Sequence, residues 1–331
     1  MKFWLVVLLG VSGVVQAASS DSQEEALAWL RKMAAASRQL NYSGTFVYQY
    51  GNHVETSRVV HYVNAAGGEF ERLEAMDGPP REVIRSNDQV VCYLPNSKAV
   101  LVEERHGRHF PVLLPEQLNG ITDSYHLKKE DVDRVADQDC VWIAVLPRDN
   151  LRYGRRFCAE VHSGLPLRAR TVNEKNEPIE SFAFTQVTLG GSFNRDKVKS
   201  RYAEKARVQN WRVDRSALNV GSETPSDTGW VLSNQPAGFK KLMEVKRSIA
   251  GRNGPVSHIV FSDGMAAVSV FIEPATTRSH AAQSLSHQGA VNIYTRPYGG
   301  QLVTVLGEAP AATVMQIGNS LELKSAATSV R

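Results

Sequence analysis

Three cysteines in 331 residues are too few and too scattered to build a metal framework. No C-x-x-C occurs, and no histidine stands at ligand spacing from Cys92, Cys140 or Cys158. The one histidine-rich stretch, Arg105-His106-Gly107-Arg108-His109, sets two arginines against a cation and offers neither carboxylate nor thiol. A phosphate-binding loop, a nucleophile elbow, a zinc-protease helix motif and a nicotinamide fingerprint are all missing. These absences leave no candidate catalytic residue, metal ligand or cofactor site. A formal charge of +4 is too small to point to nucleic acid, although it suits anionic lipid or an acidic partner. Beyond the N-terminus there is no apolar run of membrane length.

What is present begins with an export signal. Lys2 precedes an apolar run from Phe3 to Val15, and Val15-Gln16-Ala17 forms a small-residue cleavage site, so residues 1–17 read as a signal peptide. No cysteine follows to take a lipid anchor, which predicts a soluble exported protein starting at Ala18. Ser22 and Glu25 form a capping box for a helix with an apolar stripe through Leu27, Leu30 and Met33. From Tyr42 to Leu189 the pattern changes to short alternating runs between turn residues: 42–50, 54–63, 70–75, 82–85, 90–94, 99–103, 140–146, 153–161, 167–172 and 179–189. One helical interruption is expected at Phe110–Leu118. So many sequential strands must curl, which predicts a mainly β fold: an unclosed antiparallel half-barrel with helices in its concave side, over 18–212. A stretch rich in Ser, Thr, Gly, Asp and Pro marks a linker at 213–228.

Residues 229–323 read as a small α+β domain with two hairpins. Asp263-Gly264 is expected to close one with Ile259 opposite Val268, and Gly299-Gly300 to close the other. Helical spacing is expected over Ser279–Ser286 and Pro310–Leu321. In the first domain, the short turn Pro147–Asn150 joins the strands carrying Cys140 and Cys158; a hairpin centred on Asp149 would set the two opposite each other and allow a disulfide. Aromatic residues suggest a binding site of another kind. Phe46 and Tyr48 share a strand face with Tyr42 and Tyr50, and Trp142 and Phe157 lie on later strands. These side chains either fill the core under the N-terminal helix or line an apolar cleft that takes acyl chains.

Several segments carry a family resemblance: Leu40–Tyr48, Glu71-Arg-Leu73, Asp77-Gly-Pro79, Arg81–Arg85, Val91–Pro95, Arg152-Tyr-Gly154, Pro236-Ala-Gly-Phe239, Ser262-Asp-Gly264, Val268–Ile272 and Gly307-Glu-Ala-Pro310. In order, and along nearly the whole mature chain, they resemble the RseB/MucB family. The cysteines at 140 and 158 do not match the family pattern. The resemblance implies a first domain similar to the lipoprotein-carrier fold, a smaller second domain, and residence in the periplasm. It implies binding to the periplasmic part of a RseA/MucA-type membrane anti-sigma factor, protection of that factor from regulated proteolysis, and release by envelope lipid or lipopolysaccharide. In the MucB branch the output would be alginate control. On this reading Phe239, Val268, Val270 and Phe271 are expected to anchor the anti-sigma factor, and Phe46, Tyr48, Trp142 and Phe157 to hold lipid. Arg195, Lys197, Lys199 and Arg201 would meet phosphorylated head groups. A lipid or lipoprotein carrier and a periplasmic hydrolase are the competing readings, and self-association is left open.

Overall fold

The computed structural model describes residues 14–104, 114, 118–191, 195–215, 225–248, 254–275 and 283–324. The loop at Arg105–His109 and most of 110–118 lie outside these residues. Helix α1 (Val14–Gln39) opens the described chain. Ala26, Leu30 and Met33, spaced four and three apart, are fully buried along one side of it. The helix starts well before Ser22, which therefore sits inside it and does not cap it. Nothing between Val14 and Ser22 is a Gly or Pro that would stop the helix running on.

Strands β1 (Tyr42–Tyr50), β2 (His53–Val63), β3 (Glu69–Ala75), β4 (Glu82–Ser86), β5 (Gln89–Leu94) and β6 (Ala99–Glu104) form an antiparallel meander. A single-turn helix, α2 (Ile121–Ser124), leads into β7 (Tyr125–Val135), β8 (Gln138–Pro147), β9 (Gly154–Glu160), β10 (Pro166–Val172) and β11 (Pro178–Leu189). β11 returns to pair with β1, and β12 (Arg212–Asp214) adds to β6 in parallel. The result is one sheet of twelve strands in the order β12-β6-β5-β4-β3-β2-β1-β11-β10-β9-β8-β7, unclosed, with β12 and β7 at its edges. β7 was not expected. Its stretch Lys128-Lys-Glu-Asp131 hides the alternation, as suits an edge strand, and only Tyr125, Leu127 and Val135 of it are buried.

Helix α1 packs on the face of the sheet carrying Leu127, Ile143, Val145 and Phe157. The reverse face, at the other end, is covered by α3 (Ala203–Val208) with Val100, Val102 and Trp211. The helices are thus divided between the two faces.

Cys140 and Cys158 are joined by a disulfide, with α-carbons 5.3 Å apart. They are not directly opposite: Cys140 faces Glu160 and Trp142 faces Cys158, so the bridge runs diagonally and the hairpin is centred on Asn150. The loop is two residues longer than expected, with Asp149 accepting from the N–H of Leu151 and Arg152 turning away toward the second domain.

In the second domain β13 (Trp230–Leu232) pairs with the terminal β20 (Leu321–Leu323). A six-stranded sheet contains β14 (Lys240–Ser248), β15 (Pro255–Ser262), β16 (Ala267–Pro274), β17 (Ser284–Gln288), β18 (Val291–Tyr298) and β19 (Gln301–Gly307), in the order β14-β15-β16-β19-β18-β17. Helix α4 (Ala311–Asn319), with Pro310 just ahead of it, covers one face through Val314 and Ile317. Gly299 and Gly300 take φ of +56° and +76° in the two-residue turn between Tyr298 and Gln301. The other hairpin differs from expectation: Ile259 faces Val270 and Phe261 faces Val268, so its loop is four residues, 263–266. Asp263 makes that loop by accepting from the N–H groups of Met265 and Ala266. Ser284–Ser286, expected to be helical, belongs to β17; residues 276–282 lie outside the described chain.

Candidate binding cleft between the two domains

Cross-strand pairing fixes which aromatic residues share a face. Tyr48 pairs with Phe182, Phe182 with Ala169, Ala169 with Phe157, and Phe157 with Ile143. These residues therefore line one face across five strands, the face that also holds α1. Beyond the end of α1 this face is roofed by the second domain. Phe46, Tyr48, Leu73 and Phe182 form the floor of a cleft whose roof is Val291 and Ile293 of β18, with a volume of about 480 Å³. This size and apolar lining suit a chain-like ligand. Among the described residues its charged rim holds Glu55, Glu180 and Glu308 with Arg81, which pairs with Glu55 at 3.5 Å.

The structure separates the four residues expected to hold lipid. Phe46 and Tyr48 lie together in the cleft wall. Phe157 is buried in the core under α1. Trp142, one residue along from Ile143, faces the other way, where Arg170 lies over its ring at 5.1 Å and its indole N–H donates to Asp133. The basic segment is also on the reverse face: Arg195 lies over Phe70, and Arg201 pairs with Glu74. Neighbouring Leu73 points into the cleft, so these cations cannot reach a head group there.

A joint of buried polar residues fixes the roof. Arg152 donates to Asp263 Oδ2 at 2.5 Å, to Ala237 O at 2.5 Å and to Asp149. Its guanidinium lies 5.1 Å from the Phe239 ring. Burial alone would lower the Arg152 pKa, but Asp149 and Asp263 outweigh it and raise it. Tyr125 donates to the same Asp263 oxygen at 2.8 Å; burial, reinforced by Asp263, pushes its phenol far above the ordinary range. Met265 of the hairpin loop joins the first-domain core. Arg155 pairs with Glu308 at 2.5 Å, Asn292 donates to the Tyr153 hydroxyl at 2.9 Å, and Thr313 donates to Leu151 O at 2.8 Å. Segments 152–154, 236–239, 262–264 and 307–310, which carry the family resemblance, thus meet at the joint. Their sequence signal was a motif without a visible purpose. Ser262-Asp263 is occupied in the turn and joint: Ser262 donates to Ala266 O and accepts from Gly264.

Of the expected partner anchors, Phe239, Val268 and Val270 are buried in the second-domain core. As placed, they are packed against their own domain and are not presented to a partner. Phe271 is different. It is half-buried on the outer face of β16 and stacks on His258 at 4.2 Å between ring centres.

The family model of the MucB/RseB N-terminal domain matches residues 25–202, and that of the MucB/RseB C-terminal domain matches residues 224–322. The chain is 31% identical to the sigma factor AlgU regulatory protein MucB of Pseudomonas aeruginosa, over 97% of this chain and 98% of that protein. It is 23% identical to the sigma-E factor regulatory protein RseB of Escherichia coli K12, over 98% and 99%. The crystal structure of MucB in complex with MucA(peri) superposes with a TM-score of 0.71 at 27% identity, covering 91% of this chain and 100% of that one. The crystal structure of MucB superposes with a TM-score of 0.63 at 28% identity, covering 91% of this chain and 98% of that one. With both domain models matched in order on a shared two-domain fold, this chain belongs to the MucB/RseB family.

Proposed function

We propose that this protein is a non-catalytic periplasmic regulator that binds the periplasmic part of a membrane anti-sigma factor. Binding shields that factor from regulated proteolysis and so restrains the envelope-stress sigma factor. Envelope lipid, lipopolysaccharide included, acts as the releasing ligand through its acyl chains. The observation that carries this reading is the match in fold, over nine-tenths of the chain, to MucB in complex with MucA(peri). The apolar cleft between the domains supports the lipid arm, because a ligand there touches both domains at once.

Such a switch needs two sites whose occupancies oppose each other, with a typical coupling of about 1–3 kcal/mol. The cleft supplies one site, and the second domain with its outer β16 face supplies the other. The test mixes the mature protein with the periplasmic domain of its organism's own anti-sigma factor, and follows affinity by calorimetry and cleavage by the site-specific protease. Tight binding and slowed cleavage are expected. Lipid binding with neither effect would make the protein a lipid or lipoprotein carrier and overturn the regulator reading.

A further inference from the structure

Glu180 sits where the cleft wall and both domains meet. Its Oε2 accepts from the Tyr48 hydroxyl at 2.7 Å and from the N–H of Ala290 at 3.3 Å, while Oε1 accepts from the Thr171 hydroxyl at 2.9 Å. Tyr48 belongs to the apolar wall that any occupant of the cleft must touch. Ala290 is fully buried in the turn between β17 and β18, the strand that roofs the cleft. Gly289 before it takes φ of +57° and approaches so closely that a β-carbon there would stand 3.0 Å from Glu180 Oε2. One carboxylate oxygen is therefore shared between a ligand-facing side chain of the first domain and the backbone of the second.

We propose that Glu180 is the positioning residue that transmits cleft occupancy to the second domain. A chain packing against the Tyr48 ring draws the phenol away from Oε2. The carboxylate, short of one donor, then shifts away from Ala290 and loosens the roof. This deepens the release reading above and rests on it. Thr171 provides an internal control, since it bonds the other oxygen and is absent from the cleft wall.

The experiment measures the affinity of the mature protein for the anti-sigma periplasmic domain, with and without saturating dodecyl phosphate. It compares the wild type with Tyr48→Phe and Thr171→Val, and measures binding of the dodecyl phosphate alone in each. In the wild type the lipid should weaken partner binding about tenfold, within the usual range for coupled sites. Tyr48→Phe keeps the ring, so it should bind the lipid within about threefold of wild type while its coupling falls below about twofold. Thr171→Val should keep the full coupling. Full coupling in Tyr48→Phe, or an equal loss in Thr171→Val, overturns the role of Glu180 and leaves the release reading intact. No coupling in the wild type overturns the release reading and this inference with it. If circular dichroism shows that Tyr48→Phe does not fold, Glu180→Gln replaces it. Reduced coupling supports the proposal and full coupling overturns it.

Discussion

Removing Arg152 tests whether the joint holds the two domains as one unit. Its side chain is 1% exposed and that of Asp263 is 0% exposed, so truncation leaves a carboxylate buried without its cation. Breaking a buried, hydrogen-bonded pair by deleting one partner costs about 3–5 kcal/mol, against about 0–1 kcal/mol for an exposed pair. Arg152→Ala should therefore lower stability by about 3–5 kcal/mol, and with a urea m-value near 3 kcal/mol/M the midpoint should fall by about 1–1.7 M. Arg152→Lys keeps the charge but not the three-way fork to Asp263, Asp149 and Ala237 O, so it should fall between. Asp263→Ala also loses two turn hydrogen bonds to the carboxylate, each worth about 1.5–3 kcal/mol. The double mutant isolates the pair, with an expected coupling of at least about 1.5 kcal/mol. A tryptophan-fluorescence and circular-dichroism titration should show one transition in the wild type and separated transitions in Arg152→Ala. The reasoning is refuted if Arg152→Ala stays within about 0.5 kcal/mol of wild type, or if the two substitutions simply add.

Cys140–Cys158 closes a short loop, so replacing both by serine should cost about 3 kcal/mol in chemical denaturation, and alkylation of the unfolded, unreduced protein should find one thiol, Cys92. His258 is buried against the Arg247 guanidinium, and burial, then that charge, pulls its pKa down to about 4. The unfolded chain binds the proton first, so stability should be level above pH 6.5 and drop by at most about 3 kcal/mol between pH 6.5 and 4. A His258→Gln variant whose pH profile keeps the same slope there would reject that assignment. Phe271→Ala should weaken anti-sigma binding about thirtyfold, or about 2 kcal/mol, with the circular dichroism unchanged; unchanged affinity removes Phe271 from the interface. For single-chain acyl phosphates, the concentration giving half-release should fall about fourfold per added methylene, from about 0.8 kcal/mol each, and a chainless polyanion should release nothing.

The half-barrel was legible because short strand-like runs separated by turn residues recur through β1 to β6 and β8 to β11. β7 escaped because an edge strand needs charges more than alternation. The cleft was half legible. The faces of Phe46 and Tyr48 follow from β1 alone, but the roof does not: Val291 and Ile293 look like any strand residues, and only tertiary packing brings them over the first domain. The face of Trp142 follows from the disulfide. A disulfide between strands needs Cys140 and Cys158 on one face. Alternation then puts Trp142 with them and Phe157 on the opposite side. Register at Asp263 could not be had from a two-residue turn signature, because the same dipeptide opens a four-residue loop when the Asp side chain caps it. Phe239, Val268 and Val270 were expected to be surplus apolar surface, but α4 and β13 bury them.

The links between the domains are unequal, and that inequality decides where a ligand can act. A ligand shifts an equilibrium only by its differential affinity for the two states. Four methylenes gaining contact in one state supply about 3 kcal/mol. That is comparable to the cost of breaking the Arg152–Asp263 fork, which is also backed by Met265 in the first-domain core. It is also comparable to what holds the far end, where Ala290 meets the Glu180 carboxylate at 3.3 Å (about 1.5–3 kcal/mol) and Gln288 meets the Tyr50 hydroxyl at 3.4 Å (about 0.5–1.5 kcal/mol), two long bonds against the three short ones of the fork. A chain entering the cleft therefore opens the Glu180 end first and leaves the Arg152 end as the hinge. Weakening the hinge should loosen both states alike and lower stability, whereas weakening the Glu180 end should move the lipid-free affinity for the partner toward the lipid-bound one and so reduce the coupling.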